Sequence, residues 1–191
     1  MKKILVSLFT VTIVISLAWG TAPAIYSAAG GTGQGNRNQI DFSEWGTSVQ
    51  LPSSKWSAIG EFYNSQLKKT IFSYRREAIA NKAGVDVRAN ISFIFERVNY
   101  LDINAYSPGL LGQVPIAIKS RFTAASGRIS LKNAIGYLGV TIDQDGVEHT
   151  IVLVHALSAQ KGMQVIMDIP SELYPQVKGE FNAALKSLRF K

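Results

Sequence analysis

The alternation of apolar and polar positions is clearest in the last third of the chain. Residues 133–142 and 147–156 are rich in aromatic and β-branched side chains, which fit a pleated, half-buried surface. Between them Asp143-Gln144-Asp145-Gly146 supplies Asp and Gly, which tolerate the positive φ of a tight hairpin. The second run sets Val147, His149, Ile151, Leu153 and His155 on one face and Glu148, Thr150, Val152, Val154 and Ala156 on the other. Both faces are apolar at their centre, so this strand is expected to be internal and covered on both sides. A turn over 159–162 leads into another apolar strand, 163–169, which Pro170 ends. Ser171 is placed to cap a helix, with Pro175 in its tolerant first turn. Leu173, Val177, Phe181, Ala184, Leu185 and Leu188 then recur at three- and four-residue steps, with Lys178, Glu180, Asn182 and Lys186 opposite. That stripe predicts one helix folding back onto a sheet.

The first half predicts more sheet. Residues 47–51 and 56–61 read as a hairpin around Pro52-Ser53-Ser54-Lys55, 69–76 as a third strand and 90–98 as a fourth. In the fourth, Ile91, Phe93 and Phe95 share a face and Ser92 and Glu96 the other, the alternation of a half-buried antiparallel strand. Asn81-Lys82-Ala83-Gly84 is a turn within a loop over 78–88. Between 101 and 131 the periodicity weakens. A helical turn from Asp102 is expected to break at Ser107-Pro108-Gly109, and 115–122 to form a short helix begun by its proline.

Ala134-Ile135-Gly136-Tyr137, the Asp143–Gly146 hairpin, the His149 strand, Gly162-Met163-Gln164-Val165 and the closing Phe181 with Leu188-Arg189-Phe190 are the most distinctive motifs of the chain. In these motifs the chain resembles the PsbP/Mog1-like superfamily, including its bacterial secreted DcrB-like branch. Val49-Gln50-Leu51-Pro52-Ser53-Ser54-Lys55-Trp56 matches the family's opening segment, and the likeness spans roughly 42–190. It implies an α+β fold, a twisted antiparallel β-sheet flanked by helices, and a non-enzymatic accessory protein that binds other proteins.

The N-terminus changes the picture by adding a compartment. Met1-Lys2-Lys3 followed by an apolar run over 4–18 and small residues reads as a secretory signal peptide within 1–29, with cleavage after 20, 24 or 29. With no cysteine anywhere, bacterial lipid attachment after the apolar run, disulfides, thiolate nucleophiles and cysteine-held zinc are all excluded. A secreted or periplasmic protein is therefore expected. Residues 30–39 form a Gly-rich linker; no strand precedes these glycines and no Gly-Lys-Ser follows, so they cradle no phosphate. A single domain over 40–191 follows.

Candidate chemistry is sparse. His149 and His155 share a strand face but stand six residues apart, about 20 Å, too far for one metal ion. A weak surface site at His149 with Asp143, Asp145 and Glu148 competes with an ordinary hairpin histidine among solvated acids, and no metal or cofactor is expected. Read as a calcium loop, Asp143-Gln144-Asp145-Gly146 would put Val152 where a bidentate Glu is needed. Ser65-Gln66-Leu67-Lys68 spells Ser-x-x-Lys but precedes a strand and lacks the partner motifs of that chemistry. No enzyme is expected.

Charge is the remaining lead: 20 Lys and Arg stand against 13 Asp and Glu. Lys68, Lys69, Arg75, Arg76, Lys119 and Arg121 are the candidate partner-binding residues, with Lys186, Arg189 and Lys191 a further cluster. Their attraction would be to an acidic envelope protein partner or an anionic membrane surface; no nucleic-acid motif accompanies them. The expected function is a secreted accessory protein docking on an envelope protein complex. The alternative is a small-molecule or metal-binding module with a pocket between the sheet and the 101–131 segment.

Overall fold

The computed structural model describes residues 38–191; the expected signal segment, 1–29, and all but the last two residues of the expected linker, 30–39, lie outside them. The strands are β1 (Gln39–Phe42), β2 (Thr47–Gln50), β3 (Trp56–Asn64), β4 (Lys69–Arg76), β5 (Ile79–Ala80), β6 (Asp86–Val87) and β7 (Asn90–Arg97). Helix α1 (Ile103–Leu111) precedes β8 (Ala117–Thr123), β9 (Ala134–Ile142), β10 (Glu148–Ser158) and β11 (Lys161–Pro170). Helix α2 (Tyr174–Ser187) and β12 (Arg189–Phe190) close the chain. Seven strands form one antiparallel sheet in the order β3-β4-β7-β11-β10-β9-β8. Among the described residues no helix is long and apolar enough to cross a membrane.

The sheet is covered on both faces, as the two apolar faces of β10 require. On one face Val152, Val154 and Ala156 join Ile91, Phe93, Phe95, Met163, Val165 and Met167 in a core closed by Val177, Phe181, Ala184 and Leu185 of α2 and by Leu188 at its C-terminal cap. Each of the Val, Leu, Ile, Phe and Met side chains removed from water there stabilises by about 1.5–3 kcal/mol. The small sheet β1-β2-β12 lies over the same face, where Phe42 meets Phe72, Phe93 and Phe95, and Trp45 stacks on Phe95 at 5.2 Å. On the opposite face α1 sets Ile103, Tyr106 and Leu110 against Ile135, Tyr137, Ile151, Leu153 and Leu157.

The turns follow their residues. Gly146 takes φ +79°, and Asp143 Oδ1 accepts from the backbone N–H groups of Asp145 and Val147, which closes the β9–β10 hairpin. The β10–β11 turn is tighter than 159–162: only Ala159 and Gln160 turn, both left-handed at φ +42° and +63°, and Ser158 already pairs with Lys161.

Four local expectations fail, each for a tertiary reason. β2 does not pair with β3. It crosses to the small sheet and pairs with β1 and with β12, while β3 pairs with β4. Helix α1 runs through Pro108: Asp102 caps it by accepting from Asn104 N–H at 2.9 Å, and burial of Ile103, Tyr106 and Leu110 outweighs the one backbone bond that proline removes. Residues 117–123 are a strand rather than a helix, because β9 offers them a ladder partner. Ser171 does not cap α2; its hydroxyl bonds Thr150 Oγ1 at 2.9 Å, and Leu173 occupies the cap position.

Candidate functional site

The polar groups beneath α1 form a closed network. Ser107 and His155 are both fully buried, with Ser107 Oγ 2.8 Å from His155 Nδ1 and 2.8 Å from Tyr137 Oη. On the other side of the ring the Gln164 amide nitrogen lies 3.2 Å from His155 Nε2. If that amide donates to Nε2, the ring proton sits on Nδ1, and Ser107 accepts it while donating to Tyr137. This is the wrong direction for a base that would activate the serine hydroxyl. Burial, aided by the positive charge of Lys69, pushes His155 down to about 4. A neutral His155 with an uncharged Gln behind it, out of reach of solvent, is a packing device rather than a catalytic pair. Beside it Tyr106 Oη donates to Glu96 Oε1 at 2.8 Å, and Lys69 Nζ lies 3.6 Å from the same oxygen. Burial and that carboxylate push the Tyr106 hydroxyl far above the usual phenol range.

The space assigned to a pocket between the sheet and the 101–131 segment is thereby filled. Tyr106 sits so close that a Cβ on Gly162 would lie 2.3 Å from its hydroxyl oxygen, and Phe122 comes within 2.2 Å of a Cβ on Gly136. The two glycines of the quoted motifs are the floor on which these aromatic rings rest. A shallow depression lies elsewhere, between Gln39, Ser48, Gln50, Ser187 and Arg189.

His149 is buried, contrary to the picture of a hairpin histidine among solvated acids. Its Nδ1 lies 2.7 Å from Asp168 Oδ1 and its Nε2 3.3 Å from Asp143 Oδ2. Burial pulls its pKa down, but the two carboxylates together outweigh that and hold it above the ordinary histidine value. The carboxylates approach opposite ring nitrogens and so share no point where an ion could sit. Among the described residues no group of three His, Asp or Glu side chains is arranged to hold a metal. His149 instead ties the Asp143 hairpin to β11.

The candidate cations are scattered rather than gathered. Lys68 lies exposed in the β3–β4 turn and Lys69 pairs with Glu96. At the other end of β4, some 20 Å away, Arg75 Nε donates to Asn90 Oδ1 at 3.1 Å. Arg76 faces the other way and grips Glu180 of α2, Nε to Oε1 at 3.0 Å and Nη2 to Oε1 at 3.0 Å, while Trp56 Nε1 donates to Glu180 Oε2 at 2.6 Å. Lys119 and Arg121 lie on β8, five strands across the sheet from β4, roughly 24 Å. There is no single basic patch. Lys69 and Arg76 are occupied by carboxylates inside the domain, leaving Lys68, Lys119 and Arg121 exposed.

What the sequence did not single out is the state of the two sheet edges. Seven of the nine β3 residues are exposed, and Ile59, Phe62 and Tyr63 stand in solvent at 48, 48 and 59% of their full accessibility, with Leu67 beside them. On the opposite edge residues 117–121 of β8 are exposed.

No family model matches the chain, and no curated protein does. Among solved structures, LpqN of Mycobacterium tuberculosis, described as involved in cell envelope biogenesis, matches 78% of this chain and 87% of its own at 14% identity, with a TM-score of 0.50. The fold is PsbP/Mog1-like. The Ran-binding protein Mog1p of Saccharomyces cerevisiae matches 81% of the chain and 95% of its own, at 11% identity and a TM-score of 0.42. A Bacteroides thetaiotaomicron protein matches 81% of the chain at 12% identity and a TM-score of 0.42, and there the match spans about half (48%) of that longer protein.

Proposed function

We propose that the chain is a secreted, non-enzymatic binding protein that docks on a protein complex of the cell envelope. The observation that carries this reading is β3: a nine-residue edge strand whose apolar Ile59, Phe62 and Tyr63 stand in solvent. Edge strands are ready templates for pairing with another chain, and exposed apolar side chains along such an edge favour that pairing. The buried histidines support the same reading, since each is engaged by internal partners. The N-terminal signal pattern and the envelope role described for LpqN support the compartment. The 30–191 chain carrying a photocrosslinking residue at Tyr63 is the test. One dominant protein adduct in the native envelope, lost in the Ile59→Ser/Phe62→Ser variant, is the expected result. Adducts no different from those of an inert secreted control would overturn the proposal.

A further inference from the structure

The described residues carry seventeen Lys and Arg side chains and thirteen Asp and Glu. Their excess of four is concentrated in one segment. Residues 103–142 hold Lys119, Arg121, Arg128 and Lys132 and no acid at all, while the remainder balances thirteen against thirteen. None of these four cations takes part in a salt bridge among the described residues. The segment folds into α1, β8 and β9; Lys119 and Arg121 lie on β8, the edge strand of the sheet, and Arg128 and Lys132 in the connection from β8 to β9.

The cations straddle that edge. Arg121 pairs in register with Tyr137 and so points to the α1 face, where its Nη2 reaches Asn104 Oδ1 at 3.4 Å. Phe122 points to the opposite face, and the Arg128 guanidinium lies over its ring at 4.0 Å from the centroid. Lys119 occupies a bulge in the β8–β9 pairing, and Ile118 stands exposed beside it.

We propose that the β8 edge binds an extended acidic segment of a partner protein, laid along residues 117–123. This rests on the protein-binding reading above and names the chemistry of one partner surface. An extended chain directs successive side chains to alternate faces, so its carboxylates can meet Arg121 on one side of the sheet and Arg128 on the other. A lipid surface is flat and cannot contact both faces of an edge at once. A second copy of this edge would set Lys119 and Arg121 against their equals, which like charges oppose. The bulge at Lys119 interrupts the regular ladder, so strand-like pairing is confined to residues 120–123.

The test is an NMR titration of the 15N-labelled 30–191 chain with an N-acetylated, C-amidated octapeptide of paired glutamates and threonines (EETTEETT), which places acids on both faces. Shifts confined to residues 117–123 and the Arg121 and Arg128 Nε resonances are expected. The Lys119→Glu/Arg121→Glu variant should weaken binding at least ten-fold, and Lys178→Glu/Lys186→Glu on α2 should leave it unchanged. Equal losses in both variants, no binding, or binding to phosphatidylglycerol vesicles but not to the peptide would overturn the assignment. If the peptide fails while the Tyr63 adduct persists, only the β8 assignment falls. If both fail, the protein-binding reading falls with it.

Discussion

Glu180 is the residue whose removal should cost most for its apparent insignificance. In the helical pattern it lies opposite the apolar stripe, among Lys178, Asn182 and Lys186. In the fold its carboxylate accepts from Trp56 Nε1 at 2.6 Å and is gripped by Arg76, and the two side chains of the ion pair are only 22 and 11% exposed. Glu180→Ala strands a largely buried guanidinium and an indole N–H in the 6%-exposed Trp56. Breaking a buried pair from one side costs about 3–5 kcal/mol, and an orphaned neutral donor about 1–3 kcal/mol. Partial solvent access to Glu180 discounts both, leaving about 3 kcal/mol. At about 2–4 °C per kcal/mol for a domain of this size, Tm should fall by roughly 6–12 °C. Glu180→Gln keeps an acceptor for Trp56 and should lose about half as much. Urea denaturation of Glu180→Ala, Arg76→Ala and the double variant should give a coupling energy of about 1–3 kcal/mol. Lys178→Ala, one face away, should lie within about 0.5 kcal/mol of the parent. If Glu180→Ala behaves like Lys178→Ala and the coupling is nil, the tether between α2 and the β3–β4 strands is refuted.

The two histidines should act on stability in opposite senses. His149 is raised in the fold, so its contribution is complete below the unfolded value near 6.5 and is lost as pH rises through the folded value. A chemical-shift titration should place its midpoint above 6.5, and His149→Gln should flatten the decline in stability on the alkaline side. His155 is depressed to about 4, so the unfolded chain takes up its proton first and stability falls as pH drops from about 6.5 towards 4. Its ring signals should not move down to pH 5, and a midpoint near 6.5 would contradict the burial described. Gly136→Ala should destabilise by about 1–3 kcal/mol, because its Cβ would meet the Phe122 ring. Phe122→Leu should recover part of that loss in the double variant; strict additivity in thermal melts would refute the contact.

Strands β4, β7, β9, β10 and β11 and the stripe of α2 were legible in sequence because their signal is local. A side chain's face is set by a period of two or 3.6 residues, and burial of that face decides the element. The central position of β10 followed from its two apolar faces. What stayed hidden depends on residues far apart in the chain. β2 belongs with β1 and β12, and Arg189 pairs with Ser48 across almost the whole domain. β8 is a strand only because β9 lies beside it, and α1 continues through Pro108 only because the sheet receives its buried side chains. The site followed the same division. Composition excluded cysteine chemistry and located the basic residues, since those facts need no geometry. Whether Arg76 faces solvent or Glu180, whether His149 is wet or clasped by two carboxylates, and which cations gather on one edge were decided by tertiary structure alone. Electrostatic partners are matched by distance in space, and a linear pattern carries no record of that distance.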